Sequence, residues 1–413
     1  MKKSFLIRVI TYCVVFSIFL LSGCKGKEEK IFEKISTEEP RKTQLTWQKK
    51  FNASVISFKM RKLIKEKEFL LLAVKTENEL IVFDRDGKEY LRRKIPVLTS
   101  KETGKTYKGF LEISDNGKYI LEGWGIPQLS SHLKYTTVEG GILWEIQNFR
   151  GLALISPDGE VVVLLETNSK ENKKGVIKFM SSSDKLLNKH LIDLSSIEMP
   201  LYAFSFSEDS KYFALRIEEW IDDKKGRRAI YPVLFFDKKG VLLWKRYVEV
   251  SQGKTPIFEL LVSPHGNYIS FTSEKNTYLV DKKGKLIWED EFFNLFSYSA
   301  NEKLLIAGKD KAKIFVIDVV SGRRLFSIDY GYPLISPDGR SPLIERTIKK
   351  PKGKQTTLSL VDLTNKKEKL ILRRNYLSSS QRKYQFSSDG KYLYFVEQDN
   401  KTLLSVYRVL LVI

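Results

Sequence analysis

Beyond residue 43 the chain is a succession of short apolar stretches divided by polar turns, with no long run of helical period. One turn recurs. It reads Ser114-Asp115-Asn116-Gly117, Ser156-Pro157-Asp158-Gly159, Ser207-Glu208-Asp209-Ser210, Ser263-Pro264-His265-Gly266, Ser299-Ala300-Asn301-Glu302, Ser336-Pro337-Asp338-Gly339 and Ser387-Ser388-Asp389-Gly390. Pro presets φ at the second position, Asp suits the third and Gly takes positive φ at little cost. The flanks, such as Leu152-Ala153-Leu154-Ile155 and Tyr392-Leu393-Tyr394-Phe395, are strand-like. Each turn therefore predicts a hairpin joining two strands, a and b.

A second pattern interleaves with the first: an apolar stretch, an Asp, a tight turn with Gly, then an aromatic residue four positions after the Gly. Phe236-Asp237-Lys238-Lys239-Gly240 leads to Trp244, Val280-Asp281-Lys282-Lys283-Gly284 to Trp288, Asp318 with Gly322 to Phe326, and Gly140 to Trp144. Asp84 with Gly87 leads to Leu91, and Asp362 is followed by Asn365, which also tolerates the left-handed region. These predict c–d hairpins. The repeated Asp residues are expected to hold backbone amides of their own turns rather than a metal, and Trp47, Trp144, Trp244 and Trp288 to pack between repeats.

Two hairpins make a four-stranded unit, and successive serines lie 36 to 56 residues apart. This is the period of a β-propeller blade, so the predicted fold is all-β: a propeller of four-stranded blades. Hairpins a–b near residues 57, 114, 156, 207, 263, 299, 336 and 387 count eight blades. Seven is the alternative if the unit at 53–95, which has lost its turn motif, is not a blade. The last unit ends on a c strand, Leu404 to Ile413. The segment Gln44 to Phe51 has no a, b or c strand before it and reads like Leu243 to Tyr247. It is expected to supply the missing d strand and close the ring, removing the open edges on which sheets aggregate.

The Ser-Pro-Asp-Gly hairpins resemble the WD-like repeats of TolB-type propellers, and the Asp-x-x-Gly-x-x-x-Trp hairpins resemble pyrroloquinoline-quinone-type repeats. An eight-bladed propeller on a lipoprotein also resembles the propeller scaffold lipoproteins of the outer-membrane barrel-assembly machinery. The resemblance covers residues 44–413, and its residues are structural ones. It implies a binding scaffold without cofactor. The alternative it leaves open is a quinone-dependent dehydrogenase, against which stands the absence of the adjacent Cys pair of many such enzymes.

The N-terminus reads as an address. Lys2, Lys3 and Arg8 precede an apolar stretch from Val9 to Leu21, too short to favour a stable span. Leu21-Ser22-Gly23-Cys24 resembles a bacterial lipobox, with the Cys24 thiol as the nucleophile that takes the diacylglycerol. The expected organisation is a signal peptide at 1–23, a lipidated Cys24 and charged tether at 24–43, and the propeller at 44–413. Tethering to a bilayer through acylated Cys24 follows. Lys25 favours the periplasmic face of the outer membrane, or the outer face of the plasma membrane in a one-membrane bacterium.

Composition narrows the chemistry. The 413 residues carry 71 Lys and Arg against 50 Asp and Glu, a net charge of +21. Three of the basic residues and none of the acidic ones fall in 1–23, so the processed chain would carry +18. Two Cys and three His exclude a disulfide scaffold and leave little for a Cys/His zinc site. No Gly-x-Ser-x-Gly elbow, phosphate loop or His-x-x-x-His pair appears, so an enzyme is not expected. Nucleic acid is not an expected partner for an exported lipoprotein.

The a–b and c–d turns share one end of such a ring, and they are uniformly short. The b–c segments 122–134, 166–176, 217–230 and 345–357 and the d–a segments 96–108, 192–202, 248–257 and 374–383 share the other end and read as loops. Long loops on a rigid scaffold usually carry recognition. The candidate partner-binding residues are therefore Trp124 and Trp220, as aromatic anchors, with Lys224, Arg227, Arg228, Lys349 and Lys350 for an acidic protein partner of the envelope. Lys170, Lys173, Lys174, Lys352 and Lys354 lie in the same segments. The other open readings are a cell-wall glycan or anionic polymer as ligand, and a merely lysine-rich solvated surface, since Lys238, Lys239, Lys282, Lys283 and Lys285 lie at the opposite end.

Overall fold

In a computed structural model of the chain, the unit Glu38–Ile413 is built of β-strands alone among its described residues. The structure describes residues 43–411, apart from short stretches that include 63–69, 100–105, 168–173, 194–202, 224–225, 248–258 and 377–380. The expected signal, lipobox and tether, with Cys24, lie outside the described residues.

Eight four-stranded antiparallel sheets make the blades of a β-propeller. Blade 1 is Val55–Lys62, Leu70–Thr76, Glu79–Phe83 and Glu89–Lys94. Blade 2 is Phe110–Ile113, Tyr119–Ile126, Ser130–Thr137 and Ile142–Phe149. Blade 3 is Gly151–Ile155, Val161–Thr167, Lys174–Ser181 and Leu186–Asp193. Blade 4 is Ala203–Phe206, Tyr212–Arg216, Val233–Asp237 and Leu242–Arg246. Blade 5 is Leu260–Val262, Tyr268–Thr272, Thr277–Asp281 and Leu286–Asp290. Blade 6 is Asn294–Tyr298, Leu304–Gly308, Lys313–Asp318 and Arg324–Asp329. Blade 7 is Leu334–Ile335, Pro342–Lys350, Gly353–Asp362 and Lys367–Tyr376. Blade 8 takes Gln381–Phe386, Tyr392–Asn400 and Leu403–Leu410 from the C-terminus and its d strand, Thr43–Lys50, from the N-terminal side. In that closing pair Thr43 lies opposite Val409 and Lys50 opposite Leu403. The Gln48 amide donates to the Ser405 hydroxyl at 2.8 Å. The unit at 53–95 is thus a true blade. Its first strand runs through residue 57 without turning, so the a–b connection falls at 63–69 instead, outside the described residues.

The core explains why the b and c strands are continuous apolar runs instead of alternating ones. Each sheet is covered on both faces by its neighbours. Val162 and Leu164 pack toward blade 2 with Leu133, Tyr135 and Trp144, while Val161, Val163 and Leu165 pack toward blade 4 with Phe213 and Phe236. Each buried apolar cluster spans one pair of adjacent blades, including blade 8 to blade 1, where Val396, Leu404 and Val406 meet Leu72, Val74 and Phe83. Contiguous packing around the whole circle fixes the blade number at eight.

The turn serines are buried and work as clips. Oγ of Ser156 accepts the amide of Val161 at 3.1 Å and donates to the Asp158 carboxylate at 2.8 Å, which in turn accepts the Glu160 amide at 3.0 Å. The same arrangement holds at Ser114 with Asn116, Ser207 with Asp209, Ser299 with Asn301 and Ser336 with Asp338. Burial opposes ionisation of Asp209, but the Ser207 hydroxyl and the amide and ammonium of Lys211 outweigh it, and the carboxyl lies below its ordinary range. Neighbouring turns are also joined: Asp115 N–H to Pro157 O at 2.7 Å, Asp158 N–H to Ser210 Oγ at 2.9 Å, Asp209 N–H to Pro264 O at 3.1 Å, and Asn301 Nδ2 to Asp338 O at 2.9 Å.

Candidate functional site: the two ends and the rim

At the end of the ring formed by the a–b and c–d turns, the described turns are held by bonds of their own. The c–d turns follow the sequence expectation. Asp84, Asp237, Asp281 and Asp318 accept amides of their own turns, as in Val241 N–H to Asp237 Oδ1 at 2.9 Å. The Ser321 hydroxyl and amide hold the Asp318 carboxyl below its ordinary range. The turn after Asp362 lies outside the described residues. Each d-strand tryptophan docks on the c–d turn of the next blade. Nε1 of Trp144 donates to Ser181 O at 3.2 Å, that of Trp244 to Lys282 O at 3.1 Å, and that of Trp288 to Val319 O at 2.8 Å. A Cβ on Gly87 would sit 2.6 Å from the Trp47 ring, and Gly87 also has φ +81°. Glycine is needed there on both counts. The packing role expected of all four tryptophans is what the geometry shows.

A shallow cleft of about 360 Å³ opens at this end between Tyr119, Glu160, Ser181, Ser182, Leu187, Lys238 and Lys239. The Lys238 ammonium bonds the Asp158 carboxylate at 2.6 Å and also the Glu160 carboxylate. Burial works against its charge, but the two carboxylates outweigh that and raise its pKa. The cleft's half-buried cation is therefore committed within the fold.

The opposite end is built differently. The segments that read as b–c loops are largely strand. Residues 122–134 continue the strands Tyr119–Ile126 and Ser130–Thr137, and 345–357 continue Pro342–Lys350 and Gly353–Asp362. Residues 217–230 carry an inserted hairpin, Glu219–Asp223 with Gly226–Ile230, whose first strand runs beside the outer strand of blade 3. The d–a segment 96–108 forms another, Val97–Thr99 with Thr106–Lys108, set against Tyr119–Ile126 of blade 2. Pattern reading senses burial, and backbone pairing needs none. A polar strand that outruns its neighbours therefore reads as a loop.

The candidate residues share this end without forming one patch. Trp124 is in the b strand of blade 2, opposite His132. In the blade 4 hairpin Trp220 lies opposite Ala229, Ile221 opposite Arg228 and Asp222 opposite Arg227. Lys349 and Lys350 are at the end of the b strand of blade 7, opposite Lys354 and Gly353. Lys224 lies outside the described residues, as do Lys170, Lys173 and Lys352. Blades 2, 4 and 7 are not adjacent, so the described candidates fall into three groups: Trp124 alone, Trp220 with Arg227 and Arg228 in one hairpin, and Lys349 with Lys350 in one strand.

Sequence reading missed one buried and one half-buried charged group near this end. Arg216, fully buried at the end of the b strand of blade 4, donates to Thr272 O of blade 5. Burial lowers its pKa to about 10, against the pull of Tyr231 and Tyr278. Glu259, just before blade 5, accepts the Leu295 amide of blade 6, and burial pushes its carboxyl up to about 7. Their charged types gave no signal of burial.

No protein-family model matches the chain, and no curated protein sequence matches it. Solved structures do. BamB from Moraxella catarrhalis is similar over 89% of this chain and 99% of that one, with a TM-score of 0.51 and 13% identity. A eukaryotic initiation factor is similar over 86% of this chain and 84% of that one, with a TM-score of 0.52 and 16% identity. The C-terminal WD40 domain of Sif2 is similar over 90% and 99%, with a TM-score of 0.52 and 10% identity. At these identities the likeness shows the fold alone: this chain is a β-propeller of the kind found in BamB and in WD40 domains.

Proposed function

We propose that this propeller is a non-catalytic scaffold of the bacterial envelope, tethered to a membrane through acylated Cys24, that binds a protein partner through the end of the ring bearing the inserted hairpins. The asymmetry of the two ends carries this reading. At one end the described turns are short and several are bonded to each other. The other projects strands and hairpins beyond the blades, with Trp124, Trp220, Arg227, Arg228, Lys349 and Lys350 among their residues. Projecting elements on a rigid support are the usual seat of recognition, and Trp and Arg are the usual anchors. The shared fold with BamB and a WD40 domain supports a scaffold role. The lipobox-like Leu21-Ser22-Gly23-Cys24 supports the tether.

The test replaces residues 219–230 with an Asn-Gly turn and compares the partners recovered from crosslinked envelopes. The expected result is loss of a defined protein partner with unchanged thermal unfolding. Recovery of the same proteins by both forms, or of none by the parent, removes the reading. A Cys24→Ser change tests the tether separately and should move the protein from the membrane fraction to the soluble one.

A further inference from the structure

The b–c connections of blades 4 and 7 differ in charge. In blade 4, residues 218–230 hold four acidic and four basic residues, and the register sets Asp222 opposite Arg227. In blade 7 the strands Pro342–Lys350 and Gly353–Asp362 meet at this end, and Lys349 lies directly opposite Lys354. Arg346, Thr357 and Arg373 form one row across three strands. From Arg346 to Val361 there are five basic residues and no Asp or Glu. From Lys369 to Ser388 there are five more, again with no Asp or Glu. The neighbouring groups do not reverse this excess. Glu345 borders the stretch, Glu397 lies opposite Arg382, and Asp329 of blade 6 lies opposite Lys313. The b–c connection of blade 6, 308–313, has three lysines and one aspartate, and in blade 8 Asp399 is matched by Lys401.

Register divides the cations between the two faces of the sheet. Arg346, Lys350 and Arg373 share one face, and Lys349, Lys354 and Arg374 share the other. The sheet also projects. Counted from the turn serines Ser299 and Ser336, the last residue of the b strand of blade 6, Gly308, corresponds to Glu345. The b strand of blade 7 therefore runs five residues further, about 17 Å. Like charges directly opposite each other destabilise a sheet. A local rule broken at one place in a regular repeat marks that place for function.

We infer that this overhang of blade 7 binds an anionic polysaccharide chain. Its net positive charge selects a polyanion. Cations on both faces suit a flexible polymer that wraps the projecting sheet, whereas a flat bilayer meets one face at a time. The cores of protein interfaces are depleted in Lys and enriched in aromatic residues. Here Tyr376 is the one aromatic residue in 346–357 and 370–376, so a folded protein fits this surface less well. A second copy of the chain would set one basic sheet against another. The inference goes beyond the protein partner proposed above and stands without it, because it does not involve the hairpin of blade 4.

The test uses the full chain and fluorescein-labelled alginate, a carboxylated polysaccharide, followed by anisotropy. Alginate is expected to bind and to weaken as salt is raised, and neutral dextran of equal length not to bind. Lys349→Gln with Lys354→Gln, and Lys350→Gln with Arg373→Gln, should each weaken binding about tenfold, while Lys283→Gln with Lys285→Gln at the opposite end leaves it unchanged. Lys349→Glu gives Lys354 an opposite charge across the strands. It should raise the melting temperature while weakening alginate binding, a combination that a purely structural role would not produce. Carbodiimide coupling of alginate carboxylates to the parent chain should label residues 349–354, which decides the matter if a variant fails to fold. Equal binding of dextran, tighter binding of poly-glutamate or of anionic vesicles than of alginate, coupling elsewhere, or a lower melting temperature for Lys349→Glu would each overturn the inference.

Discussion

Glu302 of blade 6 completes the turn that begins at Ser263 of blade 5: its carboxylate accepts the Ser263 hydroxyl at 2.6 Å. In the other described a–b turns the carboxylate or amide that holds the serine comes from two positions further on, but here that position is His265. Glu302 also accepts the His265 amide and the Asn267 side chain, each at 2.6 Å. It does so from the glycine position of its own turn, at φ +58°, where an ordinary side chain is strained. Two departures from the repeat thus compensate each other across a blade boundary.

Glu302→Ala should cost about 2–4 kcal/mol in chemical unfolding, since three buried or half-buried donors lose a charged acceptor. Restoring the repeat with His265→Asp and Glu302→Gly together should recover most of that loss. His265→Asp alone should destabilise, because two carboxylates would then share one turn. A double-mutant cycle showing simple additivity would break the explanation.

Trp144 is 4% exposed and bonds the next blade through Nε1. Its replacement by Ala should cost about 3–5 kcal/mol, and by Phe clearly less, because most of the effect is the cavity. Thermal melts of the two variants check the order.

Ring closure can be trapped. Gln48 and Ser405 lie opposite each other with touching side chains. A Gln48→Cys and Ser405→Cys pair should oxidise to a disulfide and stabilise the fold by up to about 5 kcal/mol through the long loop it closes. Non-reducing mass mapping shows the bond, and unfolding with and without reductant measures its effect. A pair that never oxidises would contradict the closing register.

Glu259 links stability to pH. Its folded pKa, about 7, lies above its ordinary value of 4.5. The folded state therefore holds the proton more tightly, so this group's stabilisation is complete below about pH 4.5 and is lost as pH rises through about 7. Glu259→Gln keeps an acceptor for the Leu295 amide without the charge. It should raise the melting temperature at pH 8 and flatten the pH dependence between those values. An unchanged profile would show that the carboxyl is not buried in solution.

The repeated Ser-Pro-Asp-Gly and Asp-x-x-Gly turns were enough to read the fold, the period, the role of the turn aspartates, the packing tryptophans and the closing strand near residue 44. These are local or strictly periodic features. The hydrogen bonds involved join residues two to five apart, and the apolar runs report burial on both faces. Candidate binding residues were legible only as residue types in non-core segments. Their distribution over blades 2, 4 and 7 follows from ring order, which no local pattern carries.

What the sequence determined by itself was the blade: its strands, its turns and the apolar surface that must be covered. The tertiary structure decided what depends on which blade stands next to which. It gave Ser263 a carboxylate from another repeat, placed Arg216 and Glu259 between blades, extended polar segments as paired strands, and left Leu242 and Leu243 exposed on the outer strand of blade 4. The reason is physical. Turn chemistry is settled within a few residues, whereas burial, pairing and exposure are settled by neighbours that the chain reaches only after it has closed its ring.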